Sequence, residues 1–346
     1  MEETAVLTST PSDTPTRART AAAIPGLALA VAVGLVATGL ATLAPTVGAP
    51  VFAILIGALL ALAGRTTPAL RPGLRVASRP VLQLAVVFFG FGLSFAAVAS
   101  IGASSLPVLV ASLLGAFLGA LLFGRLLGVG GDLRTLISVG TAICGASAIA
   151  ATDGVLRARE RDVSYAIATI FTFNVAAVLL FPLLGHALHL SSHTFGLWAG
   201  TAVNDVSSVV AAATSFGHGA TSYAIVVKLA RTLAIIPITL VLSLRRARAA
   251  EVSTGSFRAA ASSFPWFILA FVAAVGVSSL GLLGPSVTAA LGSLATFMIA
   301  VALAGIGLST DLAAIRRAGI RPLALGAGVW AVVAGVSLAV ISLTHH

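Results

Sequence analysis

A few ionisable side chains stand inside long apolar stretches of this sequence. Lys228 and Arg231 lie in the middle of the apolar run 219–244, and their spacing of three residues places both on one face of a helix. Asp205 follows Asn204 in the middle of a second apolar segment. Within a lipid bilayer an ionisable residue costs at least about 2.5–3.5 kcal/mol, so such a residue is kept for pairing or for function. We expect Asp205 either to take part in a transport cycle or to form a buried salt bridge with one of the two cations.

Other polar residues occur in similar surroundings. Asn174 stands in a long apolar run, while Cys144, Ser147 and Ser207 stand in two segments that are rich in Gly, Ala, Ser and Thr. Each also has a plain structural role, because serine and asparagine form interhelical hydrogen bonds and cysteine packs as a small apolar residue. The full set of candidate binding residues is Asp205, Lys228, Arg231, Asn204, Asn174, Ser147, Ser207 and Cys144.

The sequence carries none of the residue patterns that enzymes of common classes use. It has no HExxH metal motif, no GxxxxGK[ST] phosphate-binding loop and no pair of carboxylates within an apolar run. The single cysteine, Cys144, excludes an intramolecular disulfide and a multi-cysteine metal site. We therefore expect a protein that is not an enzyme, that holds no cofactor and no metal, and that has no built-in ATP motor.

The composition indicates the solvent in which these residues act. Of 346 residues, 58% are apolar and 9% are charged, and the mean hydropathy is +1.09. Soluble domains carry about 25% charged residues, so a soluble chain of this size could not cover its surface. This excludes a soluble enzyme, a disordered protein and a nucleic-acid module, and it predicts an integral membrane protein. The net charge of +10 does not indicate nucleic acid, because most basic residues fall between the apolar runs.

Apolar runs of about 20 residues predict an all-α polytopic membrane protein. Residues 1–20 are predicted to be a disordered cytoplasmic tail, and 21–346 a single transmembrane transporter domain. Two apolar segments, 135–151 and 194–214, are rich in small residues and carry polar residues in their middles. The remaining runs are predicted to be nine full crossings, at 22–43, 48–63, 80–100, 103–124, 163–185, 219–244, 263–283, 286–308 and 321–344.

The distribution of arginine predicts which connections are cytoplasmic. Arginines cluster before the first run and in alternate connections, and the intervening connections hold no Lys or Arg. The N-terminus is therefore predicted to be cytoplasmic and the C-terminus external. Both flanks of 135–151 carry arginine and both flanks of 194–214 lack it, so each segment is predicted to enter and leave on one side, from opposite faces. A full crossing with an unwound centre is the alternative for each.

Two pairs of similar stretches indicate an internal repeat. Gly90–Ser94 reads GFGLS and Gly305–Ser309 reads GIGLS, at a shift of 215 residues. The stretch 140–151 matches 200–211, and each is followed by Ser-Tyr-Ala-Ile. In the predicted topology the two copies of each pair run in opposite directions. Inverted repeats with broken or re-entrant segments near the midplane are typical of secondary transporters, whose half-helix N-termini favour an anion.

Three ordered motifs carry a family resemblance. They are AICGASAIAA at 142–151, AVNDVSSVVAA at 202–212 and VKLART at 227–232. Together they resemble the YeiH-type sulfate exporter family of bacterial inner-membrane proteins, from about residue 25 to the end. The resemblance implies a distant similarity to cation/proton antiporters and bile-acid-type symporters, and a core domain that moves against a scaffold. Ala146 and Asn204 depart from the family, which often has Asn and His at these positions.

These observations predict a secondary transporter of a small anion, of the sulfate, sulfite or organic sulfonate kind, in the bacterial inner membrane. The two cations outnumber the single acid at membrane depth, which leaves one positive charge for the solute. The alternatives are a Na⁺- or H⁺-coupled cation antiporter that uses Asp205 with Lys228, and a non-transporting membrane protein. The expected partners are the lipid bilayer and the anion, with H⁺ or Na⁺ as a coupling ion. A homodimer is left open, and nucleic acid is not expected.

Overall fold

The computed structural model describes residues 16–43, 48–232, 266–309 and 319–344, together with positions 234, 238 and 241. This described part consists of helices and short connections, without a strand. In chain order the helices are α1 (Thr16–Leu43), α2 (Ala49–Leu62), α3 (Pro68–Gly90), α4 (Phe95–Leu126), α5 (Gly131–Ala142), α6 (Ala146–Leu156), α7 (Glu160–Ala187), α8 (Ser192–Ala202), α9 (Val206–Phe216), α10 (His218–Thr232), α11 (Trp266–Ser279), α12 (Pro285–Leu308) and α13 (Ile320–Thr344).

Six of the described helices are long and apolar enough to cross a membrane, namely α1 from Ala22, α3, α4, α7, α12 and α13. The runs 48–63 and 263–283 correspond to α2 and α11, which have 14 residues each and therefore span about 21 Å. This is shorter than the hydrocarbon core of about 30 Å. The run 219–244 is described as a continuous helix only to Thr232. The prediction of a helical protein with several spans is confirmed, and the count of nine full crossings is not.

Two predicted boundaries differ from the structure. The connection expected at 99–105 lies at 91–94 instead, where the side chain of Ser94 accepts a main-chain N–H in the first turn of α4. The polar residues that suggest a connection are satisfied inside α4, since Ser104 Oγ donates to a carbonyl of the preceding turn. At the other boundary, α1 begins at Thr16, within the range assigned to the N-terminal tail, whose first 15 residues lie outside the described part.

The helices form two bundles. α1, α2, α3, α11 and α12 pack together as the flanking bundle, and α4 to α10 pack with α13 as the hairpin bundle. The principal contacts between the bundles are made by α9, which packs against both α2 and α12. A smaller contact joins the start of α4 to the end of α11, where the Phe95 N–H donates to Ser279 Oγ at 2.9 Å. α9 is therefore the main bridge between the bundles.

Glycines bring helices close together within each bundle. In the flanking bundle, a Cβ at Gly57 of α2 would lie 2.7 Å from the carbonyl oxygen of Ala304 in α12. In the hairpin bundle, a Cβ at Gly200 of α8 would lie 2.8 Å from the carbonyl oxygen of Ala224 in α10. Small residues at helix interfaces are typical of membrane proteins, where close van der Waals contact replaces the hydrophobic effect as the force between helices.

α5 and α6 form a hairpin that begins and ends at the N-terminal end of α7. Gly130 before α5, Arg161 in the first turn of α7 and Arg321 in the first turn of α13 line one common cavity. α6 reaches α7 through the short connection 157–159. Both ends of this helix pair therefore lie at the start of α7, so the pair turns back instead of continuing in one direction.

α8 and α9 form a second hairpin at the C-terminal end of α7. The rings of Phe195 in α8 and Phe216 at the end of α9 stack with centroids 3.9 Å apart, and His186 at the end of α7 stacks on Phe216 at 4.4 Å. α10 begins beside α8, because Gly196 packs against the carbonyl of Ala220. The two hairpins therefore enter the bundle from opposite ends of α7 and point toward each other.

Replacing Gly200 by valine is expected to push α8 away from α10. A Cβ at this position would also lie 2.9 Å from Val227 Cβ, and such overpacking costs about 1–3 kcal/mol. We expect a lower melting temperature in detergent for Gly200→Val than for the matched control Gly335→Val, because a Cβ at Gly335 in α13 meets no atom within 4 Å. Equal melting temperatures for the two variants would contradict the close contact between α8 and α10.

Candidate functional site

Short non-helical stretches form the two hairpin tips. The first tip comprises residues 143–145, between α5 and α6, and the second comprises 203–205, between α8 and α9. Gly145 has φ +68° and ψ −129°, a conformation that glycine adopts easily and other residues do not. A Cβ at Gly145 would lie 3.4 Å from Asp205 Cβ and 3.8 Å from Asn174 Nδ2 of α7. The two tips therefore touch beside the middle of α7.

Lys228 connects the two tips. Its side chain is fully buried, and Nζ donates to the carbonyl oxygen of Ile143 on the first tip and to that of Val203 on the second, each at 2.7 Å. These oxygens directly follow α5 and α8, so they belong to the carbonyls that a helix C-terminus leaves without a partner. Helix C-termini carry partial negative charge, which the ammonium offsets. One side chain thereby joins the ends of two half-helices.

Arg231 binds the same helix end one turn further along α10. Its side chain is 1% exposed, Nε donates to the carbonyl of Ala142 at 2.6 Å, and Nη2 donates to that of Thr141 at 3.1 Å. The three successive carbonyls 141–143 are thus bound by the two cations. Among the described residues, Nη1 of Arg231 has no hydrogen-bond partner. A buried donor without a partner is costly, so this nitrogen is free to contact a ligand.

The contact between α8 and α10 sets the depth of both cations. The helices run side by side from a common end, with Gly196 against the carbonyl of Ala220 and Gly200 against that of Ala224. Lys228 lies one turn beyond Ala224, so its ammonium reaches the C-terminal end of α8. The glycines of α8 therefore position a side chain that belongs to α10.

Asp205 caps the second half-helix, α9. Its Oδ1 accepts a hydrogen bond from the Ser208 N–H at 2.6 Å and another from the Ser207 hydroxyl at 2.7 Å, while Oδ2 accepts one from Asn174 Nδ2. Aspartate is a preferred N-cap, and its negative charge offsets the positive end of the helix. Ser207 and Asn174, both predicted as site residues, thus hold the carboxylate in place.

Asp205 forms no ion pair with Lys228 or Arg231, all of which lie in the described part of the chain; the ion pair found there is Arg161 with Asp162. The salt bridge considered from the sequence is therefore not what holds Asp205. The physical reason is that the C-termini of the half-helices offer main-chain oxygens to the cations, whereas the N-terminus of α9 offers an N–H group to the carboxylate. Each charge is bound by a helix end of opposite sign.

The N-terminus of α6 lacks a comparable cap. In the matching stretches of the two hairpins, Gly145 stands where the second hairpin has Asp205, and Gly145 has no side chain to accept a hydrogen bond. The positive end of α6 therefore lies at the tips without a neutralising carboxylate.

The charges at the tips add up to a positive site. The two C-terminal and two N-terminal helix ends carry about −0.5 and +0.5 elementary charge each, so they cancel. Lys228 and Arg231 supply two positive charges and Asp205 one negative charge, which leaves one positive charge. A single bound anionic charge would balance it.

Other polar atoms at this level lack partners among the described residues. Asn204 is 1% exposed, and neither its Oδ1 nor its Nδ2 forms a hydrogen bond. Asn174 donates through Nδ2 to Asp205, but its Oδ1 accepts nothing. Because buried polar groups in native proteins are normally hydrogen-bonded, these atoms and Nη1 of Arg231 are the candidate contacts of a solute.

The remaining predicted residues take different positions. Cys144 is buried in the first tip, directly before Gly145. Ser147, the second residue of α6, is exposed and does not lie between the tips. The sequence did not single out Gly145 or the carbonyls at 141–143 and Val203. The available signal was the break in each polar segment, but the residue at which a half-helix ends could not be read from side-chain types.

Comparison with known proteins identifies the family of this chain. A family model described as conserved hypothetical protein 698 matches residues 25–326. A UPF0324 membrane protein of Streptococcus pyogenes serotype M6 is 44% identical over 324 residues, which cover 91% of this chain and 96% of the relative. Another UPF0324 membrane protein, of Streptococcus pneumoniae, is 44% identical over 299 residues, covering 83% of this chain and 87% of the relative.

A more divergent relative, the UPF0324 membrane protein of Clostridium tetani, is 38% identical over 288 residues, which cover 80% of this chain and 84% of the relative. These matches confirm the resemblance to the YeiH-type proteins, and the relatives' names support a membrane protein. The chain belongs to the conserved hypothetical protein 698 family, whose matched relatives are UPF0324 membrane proteins.

Proposed function

We propose that this protein is a secondary transporter that carries a small anion across the bacterial inner membrane, with its binding site at the hairpin tips. The observation that carries the proposal is the buried positive charge at the tips, where Nη1 of Arg231 has no partner among the described residues. Half-helices that meet inside a bundle are a recurrent construction of substrate sites in secondary transporters. Non-helical backbone at membrane depth is tolerated where protein covers it or where it lines a cavity.

Charge and geometry favour a monovalent oxyanion, such as an organic sulfonate or hydrogen sulfite. One negative charge balances the site, whereas the sulfate dianion would leave one charge uncompensated. Arg231 supplies a planar guanidinium that suits an oxyanion, and Asn204 Nδ2 supplies a second donor that is unpartnered among the described residues. We expect sulfite and sulfonates to bind more tightly than sulfate.

The distribution of charge supports an inverted topology in the membrane. Arg161 and Arg321 lie at the end of the hairpin bundle where the first hairpin begins, and His186 and His193 lie at the end where the second begins. By the positive-inside rule, the arginine end is cytoplasmic. In this topology both hairpins are re-entrant from opposite faces, the N-terminus is cytoplasmic and the C-terminus is external.

A Na⁺- or H⁺-coupled cation antiporter is the second candidate, and one observation favours it. Asp205 is half-buried, and its neighbour Asn174 has an unpartnered Oδ1 among the described residues, so the pair offers oxygen ligands to a hard cation. Two observations weigh against it: Asp205 already accepts three hydrogen bonds, and it does not contact Lys228. For a non-transporting membrane protein we find no specific support.

Monovalent oxyanions are expected to raise the melting temperature of the purified protein in detergent, because a ligand that binds the folded state stabilises it. Arg231→Ala should lose this shift, and Arg231→Lys should reduce it, since lysine keeps the charge but not the planar fork. Arg125→Ala removes an exposed arginine at the end of α4 and should keep the wild-type shift. Stabilisation by Na⁺ or by a pH change, with none by any oxyanion, would favour the antiporter.

Removing the cap of α9 is expected to abolish transport, whereas removing a similar cap elsewhere is not. Asp205→Ala and Ser191→Ala each delete a side chain that caps a half-helix, and each should lower the free energy of unfolding by about 1 kcal/mol. Ser191 caps α8 at the far end of the same hairpin. Uptake of a labelled sulfonate into proteoliposomes, with and without a pH gradient, should be lost only in Asp205→Ala. Equal loss in both variants would assign Asp205 to stability alone.

A further inference from the structure

Helices of the flanking bundle are related by a constant shift of 217 residues. α2 and α11 have equal length at this shift, and α3 begins 217 residues before α12. Their contacts follow the same rule, because Gly90 packs against the carbonyl of Phe271 while Gly307 packs against that of Ile54. Adding 217 to the lower number in each contact gives a residue of the other. The contacts therefore relate the helices two residues away from the shift of 215 that the GxGLS stretches suggest.

The hairpin bundle follows related rules. Between α4 and α13, Gly119 packs against Val332 while Gly115 packs against Val336, which is again an exchange at a shift of 217. The hairpin helices α5 and α6 match α8 and α9 at a shift of 60. Equivalent helices run in opposite directions: Gly305, near the end of α12, packs beside the start of α3. The whole molecule is thus an inverted pair of similar halves, in which the order of the segments along the chain differs.

One pair of equivalent helices has different surroundings. α9 packs against α2 and α12 of the flanking bundle, and nearly all of its residues are buried. Its equivalent α6 packs against α5 and α7 within its own bundle, and Ser147, Ala150 and Gly154 on its outer side are exposed. By the shifts above, the partners that correspond to α2 and α12 are α11 and α3. In the described part of the chain, no contact of comparable extent joins α6 to either of them.

The exposed side of α6 differs from a surface that faces lipid. It consists of small residues, Ser147, Ala150 and Gly154, and a Cβ at Gly154 would meet no atom within 4 Å. The exposed side of α4 carries large apolar residues instead, among them Leu114 and Leu118. Small side chains suit close approach of another helix. The composition of this side therefore fits a helical partner.

We propose that the exposed side of α6 is a docking surface for the flanking bundle of the same chain. In a second conformation, α6 packs against α11 and α3 as α9 packs here against α2 and α12, and α9 is released. The exchange exposes the hairpin tips alternately at the two ends of α7. This inference rests on the proposed function for its purpose, since moving a solute requires access from both sides, but its geometry follows from the contacts alone.

Cysteine pairs in a Cys144→Ala background, which removes the single native cysteine, test the exchange. A Cβ at Gly48 would lie 3.2 Å from Ser215 Cα, so the adjacent pair Ala49→Cys/Ser215→Cys reports the contact of α9 with α2. A short bifunctional thiol reagent should link this pair in reconstituted protein. Locking it in this way should stop uptake.

The equivalent pair is Trp266→Cys/Val155→Cys, which reports the second conformation. The same reagent should link it in reconstituted protein, and the link should also stop uptake. Labelling of an added Ser147→Cys by a maleimide should then be lost, because α6 is covered. The matched control is Gly115→Cys/Val336→Cys, which joins α4 to α13 within one bundle and should cross-link without loss of uptake.

Absence of the 155–266 link, while the control pair cross-links, would overturn the docking surface, as would continued labelling at position 147 in the linked protein. These readouts need no solute, so they separate this inference from the proposed function. If both test pairs cross-link and no anion is carried, the anion proposal fails and the exchange stands. If an anion is carried and the 155–266 pair never cross-links, the reverse holds.

Discussion

The hydrogen bonds from the buried Lys228 ammonium to the carbonyls of Ile143 and Val203 are the interaction on which the rest of the site depends. Two helices end inside an apolar bundle, and their last carbonyls have neither water nor a next turn to pair with. Leaving such groups unpaired at this depth costs several kcal/mol each. A single cation that reaches both ends removes this cost and brings the two tips together. Arg231 extends the same solution to the preceding carbonyls of α5.

The character of the site follows from an inequality between the two hairpins. At matching positions the second tip has Asp205, which caps α9, and the first tip has Gly145, which caps nothing. If both tips carried a carboxylate, the charges of the tips would cancel against Lys228 and Arg231. With only one, a positive charge is held in the interior beside polar atoms of Asn204 that are unpartnered in the described part. The substitution of glycine for an acid is thus what favours an anion.

All the side chains that form the tips come from the hairpin bundle. Within that bundle, glycines on α8 bring α10 close enough to set the depth of its cations, so the geometry is rigidly coupled to helix contacts. The bundle meets its neighbour mainly through α9. A site of this kind keeps its internal distances if one bundle shifts against the other, because the shift breaks contacts of α9 and not the hydrogen bonds of Lys228.

Composition determined the class of this protein, because a chain with 9% charged residues cannot cover a surface in water. The sequence also identified the two polar segments, their similarity, and the isolated charges at Asp205, Lys228 and Arg231, since polar residues are conspicuous in apolar runs. It could not identify the partners of those charges. Main-chain carbonyls belong to every residue, and only the tertiary structure decides which of them end a helix and lie within reach of a side chain some 25 to 90 positions away. For the same physical reason, the turn before α4 was misplaced, because Ser104 looks like a loop residue until its hydroxyl is seen bonded to its own helix.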